Sequence, residues 1–314
     1  LGKVPSALTY SVRQLEDALD VLLFDRRSRQ AMLTAAGQEL LDEGRRLLEQ
    51  IDAVANRVKR VATGWETQLS VAVDDVISRA TVLELCDAFY ASSVPAPRAA
   101  PGTRSPPTAP SGPPTRLRIR TEVLAGTWEA LVTGRADLAI GIAAGGELPS
   151  GFAMKELGAI DFVFAVAPHH ALAGAPEPLD DAELIHHRAV AVADSAYRLA
   201  PITVNLLPGQ DVLTVSSMQT KIDALLRGMG CGFVPEPMAR DHIVAGRLVV
   251  KTVQRARLSG RLGYVWRTPA GRKGAVRKDQ AGLALRWWLD HLESPATRRA
   301  LLERHGSRVV NSAG

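Results

Sequence analysis

The 314-residue sequence contains only two cysteines, Cys86 and Cys231. Two cysteines cannot form the disulfide framework of a small secreted protein, so we interpret them as small buried residues rather than as a redox switch. The sequence also lacks an uninterrupted run of about 18 apolar residues, which argues against a membrane-spanning helix, and it shows no signal-peptide pattern. These absences predict a cytoplasmic protein.

Recognisable catalytic machinery is also missing. We find no Ser-His-Asp spacing, nucleophile elbow or phosphate-binding loop. The pairs His169-His170 and His186-His187 resemble metal ligands, but adjacent residues do not share one face of a helix or strand. We therefore expect no enzyme activity, no cofactor and no metal site.

The composition permits a sizeable folded protein with a basic surface. Hydrophobic residues make up 46% of the chain, which is ample for the cores of two or three domains. Lys and Arg (38) exceed Asp and Glu (33), for a formal net charge of +5. This modest excess is compatible with a polyanionic partner such as nucleic acid. Only the distribution of the charges along the chain can indicate whether such a partner binds.

The first twenty residues have helical spacing. Leu8, Val12, Leu15 and Leu19 recur at steps of three and four, which predicts one apolar stripe along a helix that begins near Pro5. The opposite face of this helix carries four side chains that can reach one ligand together: Ser6, Thr9, Tyr10 and Arg13. Taken alone, such a face is equally well explained as an ordinary solvated surface.

A two-stranded wing and a long helix are predicted next. Two short apolar stretches, 22–24 and 31–33, flank a basic tip that carries Arg26, Arg27 and Arg29. Thr34 is a suitable N-cap for the following helix, which should end near Gly64. Its apolar positions form a narrow, sustained stripe typical of a coiled-coil seam, and the dimerising residues we expect are Leu47, Ile51, Val54 and Val58.

Beyond Trp65 the pattern changes to alternating strands and helices, which predicts mainly parallel sheets covered by helices. Residues 92–115 hold eight of the nineteen prolines and should be a disordered insert. From residue 294 onward we expect a helical, basic stretch that ends as a polar tail of no evident role.

Several segments together resemble one known family. Residues 1–10 (LGKVPSALTY), 12–16 (VRQLE), 22–26 (LLFDR) and 33–37 (LTAAG) resemble the signature of LysR-type transcriptional regulators. Downstream, residues 134–141 (GRADLAIG) and 228–235 (GMGCGFVP) resemble strands and turns of the family's sensor domain. The order and spacing of these pieces make the resemblance specific.

The resemblance implies an α/β fold class with three parts. Residues 1–33 would form part of a winged helix-turn-helix DNA-binding domain, and residues 34–65 a dimerisation linker helix. Residues 66–293 would form a two-lobed effector domain like a periplasmic binding protein. Its first lobe would take residues 66–163 and 263–293, its second lobe 164–262, and residues 294–314 would be the tail.

The resemblance also implies partners and sites. The chain would regulate transcription by binding double-stranded promoter DNA through the face of the first helix and through the wing arginines. It would form homodimers and tetramers, bind a small-molecule effector between the lobes, and have RNA polymerase as a further partner. Loops facing the cleft carry the effector residues expected here: Asp74, Asp75, Thr127, Ser216 and Ser217.

The chemistry of these cleft residues points in two directions. Hydroxyl groups at a helix N-terminus suit an anionic effector, whereas two aspartates suit a cationic one. Helix capping is a third explanation, because Asp and Ser cap helices routinely at strand-to-helix turns.

The sequence departs from the family pattern near its start. The family motif normally begins roughly twenty residues earlier, so we expect one helix and most of another to be missing and DNA binding by this chain to be weak. The usual Ser-Gln-Pro is replaced by Val4-Pro5-Ser6.

The alternative to a DNA-binding regulator is a solute-binding module or a regulator remnant without DNA binding. An enzyme of the same two-lobed architecture is a third interpretation.

Overall fold

A computed structural model describes residues 5–25, 31–92, 112–145, 148–255, 259–268 and 281–305. The chain divides into two compact units, Leu1–Val58 and Lys59–Gly314. Within the described ranges, no helix combines the length and the apolar character needed to cross a membrane.

The first unit contains a helix, a small hairpin and the start of a long helix. Helix α1 spans Pro5–Leu19 and helix α2 spans Ala35–Thr63. Between them, strands β1 (Phe24–Asp25) and β2 (Met32–Leu33) pair antiparallel, which confirms the predicted wing. The wing tip, with Arg26, Arg27 and Arg29, lies outside the described residues.

A buried carboxylate joins α1 to the wing. Glu16 is buried, and its Oε1 atom accepts hydrogen bonds from the backbone N–H groups of Leu23 (2.9 Å) and Phe24 (3.2 Å). These donors would otherwise be unsatisfied, so Glu16 fixes the direction in which the chain enters the hairpin.

The start of α2 has the predicted cap. The Thr34 hydroxyl accepts a hydrogen bond from the N–H of Gly37 (3.0 Å) and donates one to the carbonyl of Leu22 (2.7 Å). A Cβ atom at Gly37 would lie 2.0 Å from the carbonyl oxygen of Leu23, so only glycine allows this close approach. Gly64, in a left-handed conformation (φ 79°), follows the last helical residue.

The second unit alternates strands and helices. Its elements are β3 (Gln68–Asp74), α3 (Arg79–Ala91), β4 (Arg116–Glu122), α4 (Ala125–Val132), β5 (Leu138–Ala143), β6 (Phe152–Val166), α5 (Asp181–Leu184), β7 (Ala189–Val192), β8 (Val212–Val215), α6 (Met218–Leu226), β9 (Gly232–Pro235), α7 (Glu236–Val244), β10 (Val249–Lys251), β11 (Ser259–Arg267), α8 (Leu283–Leu292) and α9 (Pro295–Glu303).

One long strand, β6, belongs to two lobes. Its first ten residues pair antiparallel with β11, which continues through β5 to the parallel strands β3 and β4. Its last residues pair with β9 and β10. Strands β7 and β8 pair parallel, and a single bridge, Ala189 to Cys231, connects β7 to the start of β9. The fold is therefore a two-lobed α/β domain, as predicted. The expectation of mainly parallel sheets is wrong, because β6 pairs antiparallel with β9, β10 and β11, and β11 pairs antiparallel with β5.

Each lobe has its own apolar core. In the first lobe, Trp288 of α8 and Phe89 of α3 pack with Leu69 and Ile140 of the sheet, and α4 covers the other face. In the second lobe, α6 and α7 pack on one face of β6, β7 and β9, while Phe164 and Phe233 lie in the cluster on the other face.

The helical stretch expected after residue 294 is present, but it belongs to the first lobe and not to a separate tail. Helix α9 buries Leu301 and Leu302 in the first-lobe core. The carbonyl of Leu301 accepts a hydrogen bond from the N–H of Ser78 (2.8 Å), and Arg304 pairs with Glu84 of α3 (2.7 Å). Apolar residues at two adjacent helix positions fill a gap beside β6, so the first lobe extends beyond residue 293.

The predicted disordered insert ends earlier than expected. Thr115 is buried, and its hydroxyl donates a hydrogen bond to the carbonyl of Glu66 (2.5 Å). A Cβ atom at Gly112 would lie 2.4 Å from the carbonyl oxygen of Tyr90, which shows how closely the chain packs there. The prediction of disorder is therefore wrong for residues 112–115, and residues 93–111 lie outside the described ranges.

The role of α9 is testable by truncating its buried leucine. Leu301→Ala should lower the free energy of unfolding by about 2–5 kcal/mol, because it leaves a cavity in the first-lobe core. Denaturant unfolding followed by tryptophan fluorescence measures this. Arg299→Ala, an exposed change on the same helix, is the control and should stay within about 0.5 kcal/mol of wild type. Equal effects would mean that α9 is not part of the core.

Candidate functional site

The junction between the lobes brings together four of the five predicted effector residues. Asp74 ends β3 and Asp75 follows it, while Thr127 lies on α4 and Ser217 precedes α6. The Thr127 hydroxyl lies 3.1 Å from Asp74 Oδ2, and the Asp75 carboxylate accepts a hydrogen bond from the N–H of Met218. The fifth residue, Ser216, is exposed to solvent beside them.

Asp74 is a buried carboxyl group whose oxygens are occupied by the protein. It accepts hydrogen bonds from the N–H groups of Val76 (3.2 Å) and Leu124 (3.2 Å) in addition to the Thr127 hydroxyl. Burial raises the pKa of Asp74 to about 7, and the neighbouring Asp75 adds to the rise. The hydrogen-bond donors lower the pKa but do not outweigh burial.

Asp75 and Ser217 both cap helix α6. Ser217 accepts a hydrogen bond from the N–H of Thr220 (3.1 Å), which is a local side-chain cap. Asp75 reaches the same helix terminus from the first lobe and binds the N–H of Met218. The helix dipole favours a negative charge at this position, so the contact holds the two lobes together.

Helix α4 receives the reciprocal contact from the second lobe. Asp194, two residues after β7, accepts hydrogen bonds from the N–H groups of Ala125 (3.2 Å) and Gly126 (3.1 Å). The N-cap residue of α4, Leu124, offers no side-chain cap and has a left-handed backbone (φ 52°). The carboxylate of Asp194 therefore supplies the cap that α4 lacks.

A second carboxylate, Glu129 of α4, holds the next part of the second lobe. Its Oε2 atom accepts hydrogen bonds from three consecutive N–H groups, those of Tyr197 (3.0 Å), Arg198 (2.6 Å) and Leu199 (2.9 Å), while Arg135 pairs with Oε1 (3.0 Å). Burial by itself raises the pKa of Glu129, but these donors and Arg135 outweigh it and lower the pKa.

Ser195 completes the contact between the lobes. Its hydroxyl donates a hydrogen bond to Glu122 Oε2 (2.7 Å) and accepts one from the N–H of Val123 (2.9 Å). A Cβ atom at Gly126 would lie 1.9 Å from the Ser195 hydroxyl oxygen, so a glycine is required at this point of α4.

Helix α1 presents a polar face to solvent. Thr9, Tyr10 and Arg13 are exposed, and Gln14 donates a hydrogen bond to the Tyr10 hydroxyl (3.2 Å). The side chain of Ser6 lies outside the described residues. On the apolar stripe, Leu15 and Leu19 are about half exposed in this chain.

Helix α2 carries an uncovered apolar stripe. The exposed fractions of Leu47, Ile51 and Val54 are 58%, 63% and 47%, and Leu48 beside them is equally exposed. The side chain of Val58 lies outside the described residues.

Two family patterns match the chain. Residues 111–294 match the LysR substrate binding domain, and residues 1–38 match the bacterial regulatory helix-turn-helix protein of the lysR family. The chain belongs to the LysR family of transcriptional regulators. Proteins of this family are regulators of transcription rather than enzymes.

Relatives and a solved structure agree with this assignment. The HTH-type transcriptional regulator YeeY of Escherichia coli K12 is 33% identical over 293 residues, which cover 93% of this chain and 85% of YeeY. The probable HTH-type regulator YhaJ of the same organism is 37% identical over 250 residues, covering 80% and 77%. The fold resembles a full-length AphB variant (TM-score 0.54, 17% identity, covering 91% and 88%).

In this LysR-family chain the predicted cleft residues divide by environment. Asp74 and Thr127 are buried and hydrogen-bonded to each other, Asp75 and Ser217 cap α6, and Ser216 is exposed to solvent. The expectation that the cysteines are buried is confirmed for both. Among the described residues, no group of three or more His, Cys, Asp or Glu is arranged to hold a metal ion.

Sequence reasoning missed four residues that connect the lobes, Glu122, Glu129, Asp194 and Ser195, and Arg135, which pairs with both glutamates. One signal was present for two of them, because Asp194 and Ser195 follow a predicted strand in the same way as Asp74 and Asp75 follow β3. Glu129 gave no signal, since a glutamate on a helix is usually a solvated residue.

The buried carboxyl of Asp74 predicts a pH dependence of stability. Because its pKa is higher in the folded chain than in the unfolded chain, its stabilising contribution is present below about pH 4 and is lost as the pH rises to about 7. Relative to Asp74→Asn, the wild-type protein should lose stability over this interval. Urea unfolding of both proteins at several pH values measures the difference, and parallel curves would contradict the raised pKa.

Proposed function

We propose that this chain is a sequence-specific DNA-binding regulator that acts as a homo-oligomer and responds to a small molecule bound between its lobes. The observation that carries the proposal is the reciprocal capping of α4 by Asp194 and of α6 by Asp75. These contacts stabilise one arrangement of the two lobes, and a ligand bound between the lobes can strengthen or replace them.

DNA recognition is assigned to α1 and the wing. The exposed face of α1 offers Thr9, Tyr10 and Arg13, with Ser6 one turn earlier in sequence, and these side chains suit base edges in the major groove. Arg26, Arg27 and Arg29 at the wing tip suit phosphate contacts, which position the protein without reading sequence.

Dimerisation is assigned to α2. Its exposed stripe of Leu47, Ile51 and Val54, continued in sequence by Val58, has the spacing of a coiled-coil seam, and pairing with a second copy would remove this apolar surface from water. Tetramers would form through the effector domains, and RNA polymerase would be a further partner.

The chemistry of the cleft favours an anionic effector. If the lobes separate, Ala125 and Gly126 of α4 lose the Asp194 carboxylate and α4 has no side-chain cap of its own. A carboxylate or similar group on a ligand can replace Asp194 there, because N–H groups at a helix start bind anions. The two aspartates do not then require a cationic effector, since Asp75 already caps α6 and the oxygens of Asp74 accept hydrogen bonds from Val76, Leu124 and Thr127.

The regulator proposal is tested by footprinting on upstream DNA of the gene. The intact protein, including any residues encoded before Leu1, should protect a site with two-fold symmetry. Ile51→Glu should abolish this protection, because it places a charge in the dimer seam. Arg13→Ala should relax base preference, whereas Arg27→Ala should weaken binding about evenly across sequences.

Arg45→Ala, an exposed change on α2 outside the seam, is the control and should keep the wild-type footprint. Absence of any sequence preference over competitor DNA would replace the regulator proposal with the solute-binding alternative.

A further inference from the structure

The second lobe contains a buried lysine without a counter-ion. Lys221 lies in the first turns of α6 and only 8% of its surface is exposed. Among the described residues, its ammonium group forms no hydrogen bond or ion pair, and no carboxylate acts on its pKa. The other buried lysine, Lys251, is fully partnered, because it donates to the carbonyls of Ala173 (3.2 Å) and Ala175 (2.8 Å) and pairs with Glu177 (2.9 Å).

Lys221 lines a small cavity inside this lobe, which has a volume of about 20 Å³. This is room for one small molecule or ion only. Most of the walls are apolar, and they include Phe164, Leu184, Val190, Leu207, Cys231 and Phe233.

Glycine at position 232 makes room for the ammonium group. A Cβ atom at Gly232 would lie 3.2 Å from both Cε and Nζ of Lys221, closer than such contacts normally are. The end of the lysine therefore rests against the backbone of β9, and residues of both β7 and β9 line the cavity.

The cavity is electropositive. Its lining includes Lys221 and Arg255 but no carboxylate, and the Arg255 guanidinium is held by Asp181 (2.6 Å). An unpaired ammonium buried in apolar surroundings costs several kcal/mol of solvation. Burial lowers the pKa of Lys221 to about 8, and nearby Cys231 opposes this slightly, so the group is still mainly charged at pH 7.

We propose that this cavity binds one small monovalent anion, a halide or a carboxylate of the size of formate, with Lys221 as its counter-ion. Size and charge together define this class, because the cavity holds one small particle and offers one unpaired cation. The site lies inside the second lobe and does not involve the cross-lobe carboxylates, so it stands independently of the proposed effector cleft.

Thermal unfolding of the full chain at constant ionic strength, balanced with the bulky anion of a sulfonate buffer, tests the site. Sodium formate or sodium chloride should raise the Tm at pH 7 in a saturable way, by on the order of 5 °C at one hundred times Kd. The rise should shrink at pH 9, because the deprotonated amine no longer attracts an anion. Sodium butyrate should have little effect because it does not fit.

Two variants separate the site from a general salt effect. Lys221→Met should abolish the anion-dependent rise and melt above the wild-type protein without anion, since it removes an unpaired buried charge. Lys251→Met removes a partnered lysine, so it should melt lower but keep the rise. A rise that is identical in wild type and Lys221→Met would overturn the proposal.

The second readout is the titration of Lys221 itself. In protein carrying ¹³C at lysine Cε, the Lys221 resonance, assigned by its loss in Lys221→Met, should titrate near pH 8 without anion and at higher pH with formate or chloride. Whichever anion shifts the titration at lower concentration is the better ligand. A midpoint that neither anion moves would mean that water alone occupies the cavity, and the proposal would fail.

Discussion

The N–H groups at the start of a helix need an acceptor, and in this protein remote carboxylates provide several of them. Helices α4 and α8 have no side-chain cap of their own. Glu66 caps α8 through the N–H of Ala284 (3.0 Å), and Asp194 caps α4 from the other lobe. Because a buried donor without an acceptor costs about 1–3 kcal/mol, the observed position of the two lobes depends on the Asp194 contact.

This dependence connects the fold to regulation. Glu129 and Arg135 form an ion pair on the first lobe, and the glutamate also holds the backbone of the second lobe at residues 197–199. An anionic ligand that takes the place of Asp194 would satisfy α4 without the second lobe and so alter the balance between closed and open arrangements. In a dimer, a change in the arrangement of the lobes would affect the dimer contact through the apolar stripe on α2 and the DNA contact through the polar face of α1.

Local patterns predicted the parts of the fold that depend on local physics. The wing, the Thr34 cap and the α/β class follow from hydrophobic spacing, a threonine before a helix and alternating strands, whereas the two lobes were expected from the resemblance to the LysR family. The partners of Asp75 and Asp194 could not be predicted from local patterns. Asp75 lies 143 positions from Met218, and Asp194 lies 68 positions from Gly126. The same limit explains α9, whose Leu301 and Leu302 reveal their role only beside β6.

Amide hydrogen exchange tests the central claim that carboxylates close the cleft. In the wild-type protein, the amides of Tyr197, Arg198 and Leu199 should exchange slowly although Tyr197 has an exposed side chain, because Glu129 binds all three. In Glu129→Gln these amides and that of Gly126 should exchange faster together, while the amides of β3 stay protected. Rapid exchange at residues 197–199 in the wild-type protein, or protection that Glu129→Gln leaves unchanged, would contradict the account.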